Sequence, residues 1–224
     1  MKKLAVLLAT AAVASTASAA TISYNFTKAL QTTEISQTGN LGLFDTTLGT
    51  LTGVSLVLSG SNSTLLSLTN NAANSQTTRA TSTTDLFFGS SLDALHGILA
   101  AANPEISLAV TTGFVTLASG ATQNFGPLTD SGTRTFGPQF NGILASFGQA
   151  GGGEFAVNCN SLSGIAILGG GGNIASNQAT EAGCGAAIEY TYTTRITQVP
   201  EPGSLALMSL AIAGLGFAAR RRKA

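Results

Sequence analysis

The chain has one histidine, two cysteines, no tryptophan and only 9% charged residues among its 224. Each scarcity removes a class of function. With His96 alone, any catalytic triad or imidazole metal site must be built on that residue. No Gly-x-Ser-x-Gly elbow, Ser-x-x-Lys or His-Glu-x-x-His accompanies it. Cys159 and Cys184 are separated by 24 residues and lack zinc-finger spacing. Low charge combined with abundant Ser, Thr, Gly and Asn disfavours a helix-bundle enzyme or a coiled coil. Basic charge is scarcest where a nucleic-acid site would need it. Between Ala20 and Val199 only Lys28, Arg79, Arg134 and Arg195 face nine acidic residues, a net charge of −5. Such a body cannot supply the Lys/Arg stripe that phosphate binding requires, so nucleic acid is excluded as a partner.

The remaining basic residues sit at the two ends, and both ends read as addresses. Lys2 and Lys3 form a charged region, residues 4–14 an apolar stretch, and Ala17-Ser18-Ala19 a small-x-small cleavage pattern. Residues 1–19 are therefore expected to be a helical secretory signal, engaged by the secretion translocon and cut by signal peptidase before Ala20. The alternative is an uncleaved anchor, for which the apolar stretch is short against about 30 Å of hydrocarbon.

At the other end Val199, Pro200, Glu201 and Pro202 precede an uncharged run over 203–219, followed by Arg220, Arg221, Arg222 and Lys223. Seventeen helical residues span about 25 Å, the short end of the transmembrane range. The positive-inside rule would keep the four cations cytoplasmic and the body outside. Gly203, Ala206, Gly214 and Gly216 dilute the apolar run, which suits a transient anchor. These residues resemble the bacterial PEP-CTERM sorting signal: the Pro200-Glu201-Pro202 motif, the Gly214-Leu215 pair in a short hydrophobic helix, and the Arg220 to Arg222 cluster, in that order. The resemblance implies recognition by an exosortase, a membrane cysteine transpeptidase. It further implies cleavage near the motif and delivery to the cell surface or an exopolysaccharide matrix. An ordinary C-terminal membrane anchor is the alternative.

Between the addresses, over 20–198, the pattern is that of strands, in which side chains alternate between two faces. Ile22, Tyr24 and Phe26 alternate with polar residues, as do Val54, Leu56 and Leu58; Ile106, Leu108 and Val110; Val115 and Leu117; and Ile188, Tyr190, Tyr192 and Ile196. Further strands are expected near 64–70, 78–88, 133–137, 155–158 and 164–168. Turn chemistry lies at Ser59-Gly60-Ser61-Asn62, Asn70-Asn71, Ser119-Gly120 and Asp130-Ser131-Gly132. Many short strands with one apolar face predict an all-β fold, an antiparallel β-sandwich or jelly-roll-like domain. One helix fits: Ser90 or Ser91 as cap, Leu92, Leu95 and Leu99 on one side, and Asn103-Pro104 as stop, with Gly97 against it. Export would place Cys159 and Cys184 where disulfides persist, and a bond between them would pin the glycines of 169–172; two free buried thiols are the alternative.

The stretch from Phe44 to Val54 resembles the opening of the choice-of-anchor E domain, a β-rich surface domain carried on alternative C-terminal anchors. Phe44, Asp45, Leu48, Gly49, Thr50 and Leu51 match, while Thr46 stands where Pro is usual and Thr47 where Ser is usual. That family brings no catalytic residues to carry over.

No constellation in the body stands out as chemistry. Asp93, Ser90 and Ser91 lie near His96, but a polar residue on a loop or helix edge explains it. The glycine runs at 151–153 and 169–172 lack the Lys-Ser/Thr of a phosphate loop and read as flexible loops. Asp45, Asp85, Asp93, Glu105, Asp130, Glu154, Glu181 and Glu189 offer carboxylate pairs for glycoside hydrolysis without a distinguishing context. Asp130 could join a calcium site, though no Asp-x-Asp-x-Asp-Gly loop surrounds it. Phe125, Phe136, Phe140 and Phe147 are expected to fill the core, with exposure as a sugar platform the alternative.

The expectation is thus a non-enzymatic exported protein without metal or cofactor, transiently anchored in the inner membrane and then held at the surface or in exopolysaccharide. A carbohydrate- or ice-binding module on the same fold is the alternative, and a secreted hydrolase the last.

Overall fold

Two-residue alternation of burial runs through 36–41, 53–70, 78–88 and 106–111, and these strands belong to two sheets with a shared interior. The computed structural model describes residues 19–195 and 209–212. In chain order the strands are β1 (Ala19–Thr27), β2 (Gln31–Thr32), β3 (Ser36–Gly42), β4 (Phe44–Asp45), β5 (Gly49–Asn70), β6 (Gln76–Ser90), β7 (Ile106–Thr111), β8 (Val115–Leu117), β9 (Thr122–Phe136), β10 (Gly148–Gln149), β11 (Glu154–Gly169) and β12 (Ile174–Thr194). A helix, α1 (Asp93–Ala100), follows β6. The first sheet has the order β1-β12-β5-β9, with β2 also on β12; the second has β3-β11-β6-β7, with β8 also on β6. The pairs β1–β12, β2–β12 and β5–β9 and all pairs of the second sheet are antiparallel, whereas the short β4–β10 pair is parallel. The all-β, antiparallel sandwich expected from the alternation is what the chain forms.

The chain divides into two units, Ala19–Thr193 and a second made of Met1–Ser18 with Thr194–Ala224. The sheets belong to the first. Within it Ala19 lies opposite Thr193 and Ala20 opposite Tyr192, so the chain enters and leaves this unit at neighbouring points. The expected signal helix lies outside the described residues. So does the expected transmembrane helix, except that 209–212 are helical. Among the described residues no helix is long and apolar enough to cross a membrane.

Two expected turns are corrected. Ser59-Gly60-Ser61-Asn62 lies inside β5, and Asp130-Ser131-Gly132 lies inside β9, where they pair with each other: Gly60 with Gly132, Ser61 with Ser131, Asn62 with Asp130. The glycines here serve close packing. A β-carbon on Gly60 would run into Leu86, and one on Gly132 would lie 3.1 Å from Ile106. Leu86 belongs to β6 of the opposite sheet and Ile106 to β7, so small residues let the facing layer approach. The expected strands at 54–58 and 64–70 are consequently one strand of 22 residues, about 70 Å when extended. Those at 155–158 and 164–168 merge in the same way into β11. Ser119-Gly120 does turn, with Gly120 at φ +71°.

The interior is apolar at both ends and polar between. The larger cluster joins Leu56 and Leu58 of β5 to Leu86 and Phe88 of β6 and Ile188 and Tyr190 of β12. Phe136, Phe140 and Phe147 lie in it as expected. The smaller cluster holds Leu66, Leu68, Ala80 and Leu117, with Phe125 packed against it half-buried. Between them, inward positions carry Asn62, Thr64, Ser82, Thr84 and Thr180, all buried. Asn62 Nδ2 donates to Thr84 Oγ1 at 3.1 Å, and Asn62 Oδ1 accepts from the Asp130 amide at 3.0 Å. The Thr64 and Thr180 hydroxyls share a 3.0 Å bond, and Gln178 Nε2 donates to Ser82 Oγ and Thr180 Oγ1. Each buried polar group in this band therefore has a partner, as burial demands.

Helix α1 forms where expected and buries Leu95 and Leu99. Its N-cap is Leu92, without a side-chain cap; the Ser90 hydroxyl accepts from the Leu92 amide, and the Ser91 hydroxyl accepts from Ala156 of β11. The serines thus fasten the helix start to the sheet and do not cap its first turn.

Candidate functional site

The sorting residues Val199, Pro200, Glu201, Pro202, Gly214, Leu215, Arg220, Arg221 and Arg222 lie outside the described residues, as does Ala17 of the signal-cleavage pattern. Ala19 and Ala20 open β1. Cys159 of β11 and Cys184 of β12 form a disulfide with Cα atoms 6.5 Å apart, joining the two sheets through the interior. Beside it Gln37 of β3 makes a second tie across the sheets: its Oε1 accepts from the Cys184 amide at 3.0 Å, while its Nε2 donates to the Ala29 carbonyl.

Four carboxylates, Glu34, Asp45, Glu105 and Asp130, accept from backbone amides. Asp130 Oδ2 accepts from the Ala109 amide of β7 at 2.9 Å and Oδ1 from Ser131 at 2.9 Å. This closes the side where the β7 border meets β9. Asp45 Oδ1 accepts from Thr47 and from Gly151, each at 2.9 Å. Those hydrogen bonds, Thr47 foremost, hold its carboxyl below the ordinary carboxylate value. Glu105 is buried and accepts from the Phe88 amide at 2.9 Å. Burial pushes its carboxyl up, against the lowering effect of that amide and of Arg134. Glu154 accepts from Asn40. Glu34, which the sequence reading passed over, binds Ser161 and Ser163: its Oε1 takes the Ser163 amide at 2.8 Å and hydroxyl at 2.9 Å, and its Oε2 the Ser161 hydroxyl. Its partners lie 127 and 129 residues away, and no local pattern signals such a contact.

His96 and Asp93 are exposed on α1. Glu189 lies exposed on β12 opposite Ser23. Among the described residues no three His, Cys, Asp or Glu side chains gather to hold a metal ion. The glycines of 169–172 all take positive φ, the conformation of the connection between β11 and β12, which fits the loop expected there and not a phosphate cradle.

One depression has a consistent chemistry. A hollow of about 470 Å³ on the outer face of the first sheet is lined by Thr27, Lys28, Ser59, Ser61, Ser131 and Thr133 over glycines 60, 132, 183 and 185. Register explains it: Thr27 is paired with Gly185, Ser59 with Thr133 and Ser61 with Ser131, so hydroxyls stand in rows around a floor without side chains.

Comparison with known proteins bears on the other end of the chain. Residues 198–223 match the PEP-CTERM protein-sorting motif. The chain carries that sorting signal. The match contains Val199, the Pro200-Glu201-Pro202 motif, Gly214, Leu215 and the arginine cluster. A PEP-CTERM motif marks an exported protein anchored transiently at the membrane before display at the surface. No curated protein matches the chain. Among solved structures, that of infectious bursal disease virus, Gx strain, is 9% identical with a TM-score of 0.20, covering 85% of this chain and 48% of that one. The parasporin-2 toxin of Bacillus thuringiensis is 9% identical with a TM-score of 0.17, covering 78% of this chain and 69% of that one. The chain spans about half the length of the viral protein, and at these TM-scores neither likeness bears on fold or function.

Proposed function

We propose that this protein is a non-enzymatic, exported surface or matrix protein. Its choice-of-anchor E-like body is delivered through the PEP-CTERM signal and released from the membrane by an exosortase. The observation that carries the reading is the sorting motif at 198–223, joined to a sandwich in which Asp130, Asp45 and Glu34 serve as acceptors for backbone amides. Signal peptidase acts before Ala20, and the arginine cluster holds the tail cytoplasmic until the motif is cut. Intact mass and fractionation of the native protein test this. The expected species lacks both ends and lies outside the cell, while a chain without residues 220–223 stays uncut in the membrane fraction. A mature protein that keeps 203–224 in the inner membrane of processing-competent cells would overturn the sorting reading.

A second reading, a carbohydrate- or ice-binding module on the same body, is supported by the hydroxyl-lined hollow over Gly183 and Gly185. It expects retention on a polysaccharide column or thermal hysteresis. Neither effect from the purified exported protein would remove it.

A further inference from the structure

The outer face of the second sheet carries an arginine without a hydrogen-bonding or acidic partner among the described residues. Arg79 lies on β6 between Thr78 and Ala80, both buried, so its side chain points outward. Leu168 is its partner on β11. On the other side, the β8 pairing of Thr78 with Val115 brings Phe114 alongside, and the guanidinium carbon stands 5.0 Å from the Phe114 ring centroid. Phe114 is 61% exposed and Leu168 54% exposed. Lys28 and Arg134 also stand over rings, at 6.0 and 5.4 Å. The ring under Arg134, Phe136, is buried, however, and Phe26 packs against the larger cluster. Phe114 is the one aromatic residue among the exposed large apolar side chains described. Arg79 is set apart in a second way. Among the described residues its Nε is the one buried side-chain nitrogen or oxygen without a hydrogen-bond partner. The first acid along this face of β6 is Asp85, about 20 Å farther up the strand.

We propose that Arg79, Phe114 and Leu168 form a binding site for a pyranose carboxylate, the uronate residue of an acidic glycan. This deepens and rests on the carbohydrate-binding reading, at a place separate from the hydroxyl-lined hollow. A guanidinium presents a fixed planar fork that takes a carboxylate through two parallel hydrogen bonds. The exposed ring and the leucine beside it supply apolar surface for the C–H face of a sugar.

The surroundings decide between a sugar acid and an acid with an apolar tail. The outward residues on either side of Arg79 along β6 are Thr77 and Thr81, and their cross-strand neighbours are Thr116 and Thr111. An acyl chain laid over these hydroxyls would strip them of water without replacing its hydrogen bonds, which is costly. A sugar brings hydroxyls of its own. Thr77 and Thr116 share a 2.8 Å bond and the Thr111 hydroxyl donates to the Ala80 carbonyl, so these oxygens keep lone pairs for a ligand. The body between the two addresses carries a net −5, so the attraction is local, confined to about 8 Å at physiological salt. Such a site takes a glycan with spaced acids and repels a dense polyanion.

The test titrates the protein as cells export it, with the Arg79 Nε–H and Phe114 ring signals followed by NMR. Methyl glucuronide should bind with a Kd on the order of 1–10 mM. Methyl glucoside, with CH2OH in place of the carboxylate, should bind at least fivefold more weakly, and so should hexanoate, an acid without hydroxyls. Arg79→Gln and Phe114→Ser should each weaken methyl glucuronide at least threefold with the thermal midpoint unchanged, since both side chains lie on the surface. Arg195→Gln removes the same charge elsewhere and should leave the affinity as it is. A hyaluronate hexasaccharide, whose flanking sugars reach the threonines, should bind at least threefold tighter than methyl glucuronide; equal binding would overturn a glycan chain as the source of the acid. Hexanoate binding as tightly as methyl glucuronide, or an unchanged affinity in Arg79→Gln, would overturn the site. Wild type that is retained on a neutral polysaccharide but does not bind methyl glucuronide would overturn this site and leave the carbohydrate-binding reading standing. The absence of both effects would remove that reading as well.

Discussion

Replacing Cys159 and Cys184 together by alanine is expected to lower the thermal midpoint of the exported protein by about 10 °C. The bond closes a loop of 25 residues, and in the chain-entropy treatment a loop of that size is worth about 3.5 kcal/mol through the unfolded state. For a domain of this size each kcal/mol moves the midpoint by roughly 2–4 °C. The closed loop contains the glycines of 169–172, whose freedom widens the unfolded ensemble that the bond restricts. In the folded state the bond joins β11 to β12 across the interior, with both cysteines 2% exposed. Reductant added to the native protein should therefore act slowly until denaturant opens the sandwich. Differential scanning calorimetry of wild type and the double variant measures the effect. A midpoint that moves by less than 2 °C would mean that Gln37, bonded to the Cys184 amide, suffices to hold the sheets.

The sequence made the faces legible but not the strand ends. Alternation at Ile106, Leu108 and Val110 or at Val54, Leu56 and Leu58 reports a side-chain period that only a half-buried strand produces, and these residues are buried as expected. What misled was local turn chemistry. Ser-Gly-Ser-Asn and Asp-Ser-Gly favour turns when nothing opposes them, yet here each segment supplies hydrogen bonds to the other and room for Leu86 and Ile106. That need arises from the opposite sheet, which no local window contains. Asn62 shows the same limit. As a surface turn residue it would be solvated; in the fold it is 2% exposed and satisfied by Thr84 and Asp130.

The site followed a similar division. The sorting signal is contiguous, so its residues could be read in order and the motif match covers them. The carboxylates act at long range. Asp45 reaches Gly151 and Glu34 reaches Ser163, 106 and 129 residues away, so their use as border acceptors is a property of topology. Composition cannot distinguish a free carboxylate from one that, like Asp45 or Asp130, already holds two amides.

Tyr190 is where the largest single-residue loss is expected: Tyr190→Ala should cost about 4 kcal/mol, within the range for deleting a buried aromatic ring. The side chain is wholly buried. Its ring lies 6.2 Å from Tyr24, 6.0 Å from Phe44 and 6.4 Å from Phe147, centroid to centroid, linking β1, β4 and the segment before β10. Its hydroxyl donates to the Gly42 carbonyl of β3 at 2.8 Å, so the residue also fastens the first sheet to the second. Tyr190→Phe keeps the ring and loses that bond, at a cost of about 1–2 kcal/mol. The two variants separate packing from hydrogen bonding in one urea titration. pH supplies an independent check. Burial, with Tyr24 adding to it, pushes the Tyr190 hydroxyl well above its ordinary value of 10.0. Above about pH 10 the unfolded chain therefore releases this proton while the folded protein keeps it. Tyr190 thus contributes fully below pH 10, and its share is lost as pH rises beyond it, at up to about 1.4 kcal/mol per pH unit. Tyr190→Phe should flatten that decline, so wild type and variant should converge between pH 8 and pH 11. Disulfide exchange does not confound the comparison through Cys159 or Cys184, because both are bonded to each other. A gap that stays constant over that range would mean that the Tyr190 hydroxyl releases its proton alike in the folded and the unfolded chain, so that burial does not hold it above its ordinary value.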